Sequence, residues 1–219
     1  MYSGCIDGVN LMHLGAETLH LDWLTRRLEA SQPARCEALR EALAPVPLCG
    51  YSVHDFEFGE EAVSVVVARP HAHGGSEFVF GRYLADRFGV ASLQQSAARL
   101  RELVDSAKHE RLVFLAHCGP TGLGVRREDI WGCDFKAREG DWGDSDLTAA
   151  IDHAKQSSKR VMAVVAGHMH HRLKGGGARA TELRRDGVVY VNAARVPRHT
   201  SSGARHHVRI ELDGSDVRA

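Results

Sequence analysis

The sequence predicts an α/β protein in which two packed sheets are covered by helices. Strand and helix patterns alternate through the middle of the chain, and the residues after 178 are rich in strand patterns. Residues 112–117 and 163–168 contain apolar runs without polar alternation, which is typical of strands buried on both faces of a sheet. With 219 residues, the chain is expected to form a single domain, 1–219.

Each predicted element has a local signal. Leucines at helical spacing precede Pro33, and Pro45 ends the next helical stretch. A run of valines favours a strand over 62–68, and Ser92 is expected to cap a helix. In chain order, the predicted elements are helices at 16–30 and 34–44, strands at 51–58 and 62–68, a helix beginning at Ser76-Glu77, a helix after Ser92, a strand ending near Leu115, a helix at 146–155, a strand ending near Ala166, and a meander over 179–184, 188–192 and 206–212 with turns at Asp186-Gly187 and Asp213-Gly214.

Composition excludes several function classes. Lys plus Arg and Asp plus Glu both number 28, so no global field directs the chain to nucleic acid or membrane. The basic segment 172–209 is a solvated face or, alternatively, a rim that attracts an anionic substrate. Five scattered cysteines without Cys-x-x-Cys spacing indicate free thiols, and Cys118 is expected to be a buried filler. No signal peptide or bilayer-length apolar stretch is found, so a cytoplasmic location is expected.

Histidines follow two of the predicted buried strands. His117 ends one apolar run, and Gly167-His168-Met169-His170-His171 ends the other. Because the carboxyl ends of parallel strands meet at one edge of a sheet, these imidazoles are expected to converge on a metal site. Gly167 is expected to let the backbone turn sharply there. The alternative is a histidine-rich surface turn, in a chain with 14 histidines.

These blocks resemble a known family. The stretch from Leu115 to Gly124 and the Gly-His-Met-His block look like the last two metal-binding blocks of calcineurin-like metallophosphoesterases. Gly-Pro-Thr-Gly-Leu-Gly at 119–124, Gly74-Gly75-Ser76-Glu77 and residues 191–198 are similar to a cyanobacterial and plant subgroup. The resemblance implies an α/β/β/α sandwich and two divalent ions, commonly manganese, iron or zinc. By that pattern His117 and His168 would bind the second ion and His170 the first.

The family's opening blocks are not found. Asp-x-His, Gly-Asp and Gly-Asn-His-Asp have no counterpart, so the chain is expected to be N-terminally truncated, and no catalytic residue can be assigned. Asp134, Asp141 and Asp144 in the long loop 119–144 could substitute as ligands, but solvated loop acids or substrate-side contacts are the preferred interpretation. His71 and His73 raise the same question, and a polar turn is preferred.

The leading hypothesis is therefore a metal-dependent hydrolase of phosphate mono- or diesters. The chain as given is expected to bind at most one divalent ion, weakly, and to hydrolyse substrates poorly or not at all. The alternatives are a non-catalytic binding or regulatory module and a structural single-metal site. Loss of central strands would expose sheet edges, so self-association is also expected.

Overall fold

The protein is described by a computed structural model that covers residues 49–136, 138, 140–197, 201–214 and 216–219, with a few positions between 32 and 45. The predicted helix at 16–30 lies outside the described residues. In the second predicted helix, the described positions 34, 37, 38 and 41 are helical. Within the described part, none of the helices combines the length and apolar character that crossing a bilayer requires.

A six-stranded sheet organises the chain. Its strands lie in the order β1-β2-β3-β4-β6-β5, with the two outer strands antiparallel to their neighbours and the four inner strands parallel. The strands are β1 (Ser52–Phe58), β2 (Glu61–Val67), β3 (Arg111–Leu115), β4 (Arg160–Ala166), β5 (Glu182–Arg185) and β6 (Val188–Asn192). The carboxyl ends of β2, β3, β4 and β6 therefore meet at one edge, which is where open α/β sheets place their ligands.

Three helices cover one face of this sheet: α1 (Gly81–Phe88), α2 (Leu93–Ser106) and α3 (Ser145–Gln156). The predicted cap is confirmed, because the Ser92 hydroxyl accepts a hydrogen bond from the Gln95 N–H. The start predicted at Ser76-Glu77 is wrong. The Gly75 N–H donates to the Gly143 carbonyl, and Phe80 has a left-handed φ of 61°, so regular helix begins only at Gly81.

The opposite face of the sheet packs against a small two-stranded sheet, β7 (Glu211–Asp213) and β8 (Asp216–Arg218). Alternation in β6 separates the two cores. Val188 and Tyr190 join the helices, whereas Val189 and Val191 contact the cluster that contains Val217 of β8. The mixed α/β class is thus observed, while the four-layer sandwich and the single-domain organisation stay predictions.

The predicted three-stranded meander is wrong in its last strand. β5 and β6 form a hairpin around Asp186-Gly187, whose φ values of 51° and 75° suit the tight turn predicted there. The third strand is shorter than 206–212 and pairs with β8 instead of β6. Both edges of β6 are already occupied by β4 and β5, so no edge is left for it.

Candidate functional site

The tips of β3 and β4 bring two imidazoles together. His117 Nε2 lies 3.2 Å from His168 Nδ1, and the ring centroids are 5.1 Å apart. The Gly167 N–H donates to the His117 carbonyl at 2.9 Å, which holds one strand tip against the other. We call His117 and His168 the histidine pair. Its position past two adjacent parallel strands is the one expected from the sequence.

The backbone strain at this tip falls on His168 and not on Gly167. His168 has a φ of 67°, and the Met169 N–H donates to the Gly167 carbonyl at 2.9 Å across it. This is a three-residue γ-turn with positive φ, a rare and strained conformation that clusters at functional sites. Gly167 itself has no positive φ, and a Cβ on it would meet nothing closer than 3.6 Å, so the sharp turn expected at Gly167 is made at His168 instead.

His73, for which a polar turn was the preferred interpretation, lies next to the histidine pair. Its ring centroid lies 5.5 Å from that of His168, and its backbone interacts with the His168 ring. The Trp142 indole N–H donates to the His73 carbonyl at 2.9 Å. By contrast, His71 is buried and packs against the rings of Phe80 and Tyr83.

Electrostatics keep His168 neutral. Burial, followed by the nearby His117, His73 and His170, lowers the pKa of His168 from 6.5 to about 3. The ring therefore carries a free lone pair at neutral pH, which is the form that binds a metal ion. The backbone of His73 hydrogen-bonds to the His168 ring, and a partner of this kind fixes the tautomer of a ligating histidine.

His170, the third metal ligand expected from the sequence, is exposed. His170 influences the charge of His168, while its own carbonyl accepts a hydrogen bond from Arg179 Nε at 3.1 Å. His171 contacts the Asn192 carbonyl at 2.7 Å. Across the described residues, no group of three or more His, Cys, Asp or Glu side chains is arranged to hold a metal ion. The role of His170 as a ligand stays a prediction.

The loop acids are structural, which corrects their interpretation as solvated or substrate-facing groups. Asp144 is buried and pairs with Arg69 at 2.8 Å. Asp134 accepts hydrogen bonds from Arg179 and from the Lys174 N–H, and Asp141 accepts two backbone N–H groups of the same loop. Each carboxylate is used to hold the chain in place.

Sequence reasoning missed a buried ion network past the end of β2, at the same edge of the sheet as the histidine pair. Arg69, two residues past the end of β2, donates to Asp144 and to Asp146 at the start of α3. Burial raises the pKa of Asp144 to about 8, against the opposing effect of Arg69. The Ser96 hydroxyl donates to Asp146 and bonds to Tyr51, whose pKa burial also raises. The sequence offered one signal for this network, namely that Arg69 directly follows a valine-rich predicted strand.

Arg179 organises the long loop in a similar way. Its buried guanidinium donates to the carbonyls of Arg127, Asp129 and Gly132 and to the Asp134 carboxylate. The hypothesis of a substrate-attracting rim therefore does not apply to Arg179, because its guanidinium is buried and donates to backbone carbonyls and to Asp134.

Gly119, at the start of the long loop 119–144, is needed for packing. A Cβ on Gly119 would come within 2.2 Å of the buried Trp131 ring, whose N–H donates to the Gly167 carbonyl at 3.2 Å. Cys118 is buried as predicted; its thiol donates to the Trp142 carbonyl at 3.3 Å, and burial raises its pKa. A thiol in that state is no nucleophile.

Comparisons with known proteins assign neither a family nor an activity to the chain. No protein-family model and no curated protein sequence matches the chain. A solved structure of a candidate 5'-nucleotidase from Staphylococcus aureus, in complex with alpha-ketoglutarate, is 14% identical with a TM-score of 0.30. The match covers 66% of this chain and 24% of that one, so this chain spans about a quarter of its length. A similarity of this size establishes neither a family nor an activity, and the proposed subgroup gains no support.

Proposed function

We propose that the histidine pair binds a divalent metal ion, and that this ion serves the hydrolysis of phosphate esters. The observation that carries the proposal is the 3.2 Å separation between His117 Nε2 and His168 Nδ1. The reaction class comes from the resemblance of the two histidine blocks to metallophosphoesterases.

The separation suits two ligands of one ion. Two nitrogens that each lie about 2.0–2.1 Å from an ion, at tetrahedral or octahedral angles, are roughly 2.8–3.4 Å from each other. A simple hydrogen bond between the rings also has this length. The two states are related, because an ion between the nitrogens takes the place of the shared proton.

The surroundings of His168 support the same assignment. Its ring is neutral at physiological pH, and the backbone of His73 hydrogen-bonds to that ring. The carbonyl of His73 is itself held by the Trp142 N–H. A ligating histidine is usually oriented by an acceptor of this kind, and loss of such a partner weakens metal affinity about 10–100-fold.

One ion is proposed, and not two. The carboxylate blocks that would hold a second cation have no counterpart in the sequence, and within the described residues no larger ligand group is formed. Manganese, iron and zinc are the candidates, with His170 as a proposed further ligand. When bound, such an ion polarises a phosphoryl oxygen and acidifies a bound water. The histidine pair would hold the ion, and the backbone of His73 would orient His168.

Calorimetric titration with Mn²⁺ and Zn²⁺ tests the binding step. We expect one ion per chain, with affinity reduced at least about tenfold in His117→Ala and in His168→Ala, since each loses one of few ligands. The exposed His207 provides a matched control, and His207→Ala should bind as the parent does. Equal affinities in all four proteins would refute the site.

Hydrolysis of bis-p-nitrophenyl phosphate tests the chemical step. We expect slow turnover that requires the metal and disappears in His168→Ala. Rapid turnover with two bound ions would contradict the one-ion proposal.

A non-catalytic single-metal site is the second candidate. It is favoured by the loop acids, because Asp134, Asp141 and Asp144 are all engaged with other partners. In that case zinc at one hundred times its dissociation constant should stabilise the fold by about 2.7 kcal/mol, with no hydrolysis.

A further inference from the structure

The tip of β6 lies beside the turn that carries His168. β6 runs parallel to β4, and just past the paired strands the Ala193 N–H donates to the Ala166 carbonyl at 2.7 Å. Further along the two tips, a Cβ on Gly167 would lie 3.7 Å from the Cβ of Ala194. The residue that follows Ala194 therefore begins next to the histidine pair.

Asn192, the last residue of β6, fixes the position of this tip. Its buried side-chain amide donates to the carbonyls of Ile130 at 3.0 Å and Met169 at 2.8 Å. Its side-chain carbonyl accepts the Ala194 N–H at 3.0 Å. A buried polar group that is satisfied in this way makes its surroundings rigid. The main chain of Arg195 is thus held at a defined place beside the 167–169 turn.

The side chain of Arg195 is exposed, and among the described residues no carboxylate or carbonyl pairs with it. Other surface arginines bond to acids close by in the chain, as Arg127 does to Glu128 and Arg184 to Glu182. An extended arginine side chain is longer than the spacing of about 4.8 Å between neighbouring strands, so it can span from the tip of β6 to the tip of β4. The charge of Arg195 is therefore available to an anion at the histidine pair.

We propose that Arg195 binds two oxygens of the phosphoryl group of the substrate, and that the site selects phosphate monoesters over diesters. The inference rests on the proposed function, because the histidine pair must hold the ion. A guanidinium binds two oxygens side by side, and the ion takes a third. A monoester offers three free phosphoryl oxygens, whereas a diester offers only two and leaves one of these contacts unmade.

Calorimetric titration of the Mn²⁺-loaded protein with two phosphonates, whose P–C bond is not hydrolysed, tests the proposal. Phenylphosphonate has three free oxygens, and methyl phenylphosphonate has two. Phenylphosphonate should bind at least about tenfold more tightly, a ratio that corresponds to about 1.4 kcal/mol. Arg195→Met should reduce this ratio several-fold. Arg101→Met, which replaces an exposed arginine on α2, is the matched control and should retain it.

A conservative variant separates the two-oxygen contact from simple attraction between charges. Arg195→Lys keeps the positive charge but presents it as a point charge without the planar fork. The preference for phenylphosphonate should therefore fall in Arg195→Lys nearly as far as in Arg195→Met. Both variants should bind Mn²⁺ with the affinity of the parent, because Arg195 is not a ligand of the ion.

The outcomes distinguish this inference from the proposed function. A parent protein that binds no Mn²⁺ would refute the proposed function, and the role of Arg195 with it. Binding of Mn²⁺ together with equal affinities for the two phosphonates would overturn the monoester assignment alone. A preference that Arg195→Lys retains in full would likewise overturn the two-oxygen contact.

Discussion

Replacement of Arg69 by methionine is the sharpest test of the structure. The guanidinium makes three charge-assisted hydrogen bonds, at 2.8 Å to Asp144 and at 2.9 and 3.3 Å to Asp146. All three side chains are almost fully buried. Arg69→Met therefore leaves two carboxyl groups without their cation, and removing one partner of a buried pair costs about 3–5 kcal/mol.

The pH dependence follows from Asp144. Burial raises its pKa from 3.8 to about 8, so the folded parent keeps this carboxyl mostly protonated at pH 7. Arg69 opposes that rise, so its removal raises the pKa of Asp144 further. A carboxyl whose pKa is raised on folding loses stability as pH increases from its unfolded to its folded value, so the variant continues to lose stability above pH 8, where the parent no longer does.

Urea unfolding of both proteins at pH 7 and pH 9 measures this difference. We expect Arg69→Met to lose about 3–5 kcal/mol relative to the parent at pH 7 and more at pH 9. The exposed pair Arg99–Glu102 provides the control, since Arg99→Met should cost about 0–1 kcal/mol at either pH. A loss below about 1 kcal/mol at pH 7, or one that does not change with pH, would refute a buried ion network at this place.

Two further substitutions test the packing around the site. Gly119→Ala should destabilise the protein by about 1–3 kcal/mol in thermal unfolding, because the new methyl group would overlap the Trp131 ring; Gly140→Ala meets no atom within 4 Å and should be near neutral. Equal melting temperatures would contradict the close approach. Trp142→Phe removes the N–H that holds the His73 carbonyl, so Mn²⁺ affinity of the histidine pair should fall about tenfold, with about 1 kcal/mol lost in stability. An unchanged affinity would mean that this carbonyl does not orient the pair.

Local patterns in the sequence were sufficient to predict most of the helices, strands and turns that the structure describes. The apolar runs before His117 and His168 became adjacent parallel strands, and Asp186-Gly187 became a hairpin turn. These features depend on neighbouring residues alone, since burial on both faces and positive φ values leave a direct trace in residue type. The last meander strand was wrong because strand pairing depends on which sheet edges are free, and this is decided by elements far along the chain.

For the site, the sequence by itself determined that histidines end two buried strands. The tertiary structure decided the rest: the 3.2 Å separation of the pair, the approach of His73, and the burial of Asp144 against Arg69. Arg69 and Asp144 are 75 residues apart in the chain. The charge state and partner of such a side chain depend on desolvation by the whole fold, and no spacing within a local segment records that.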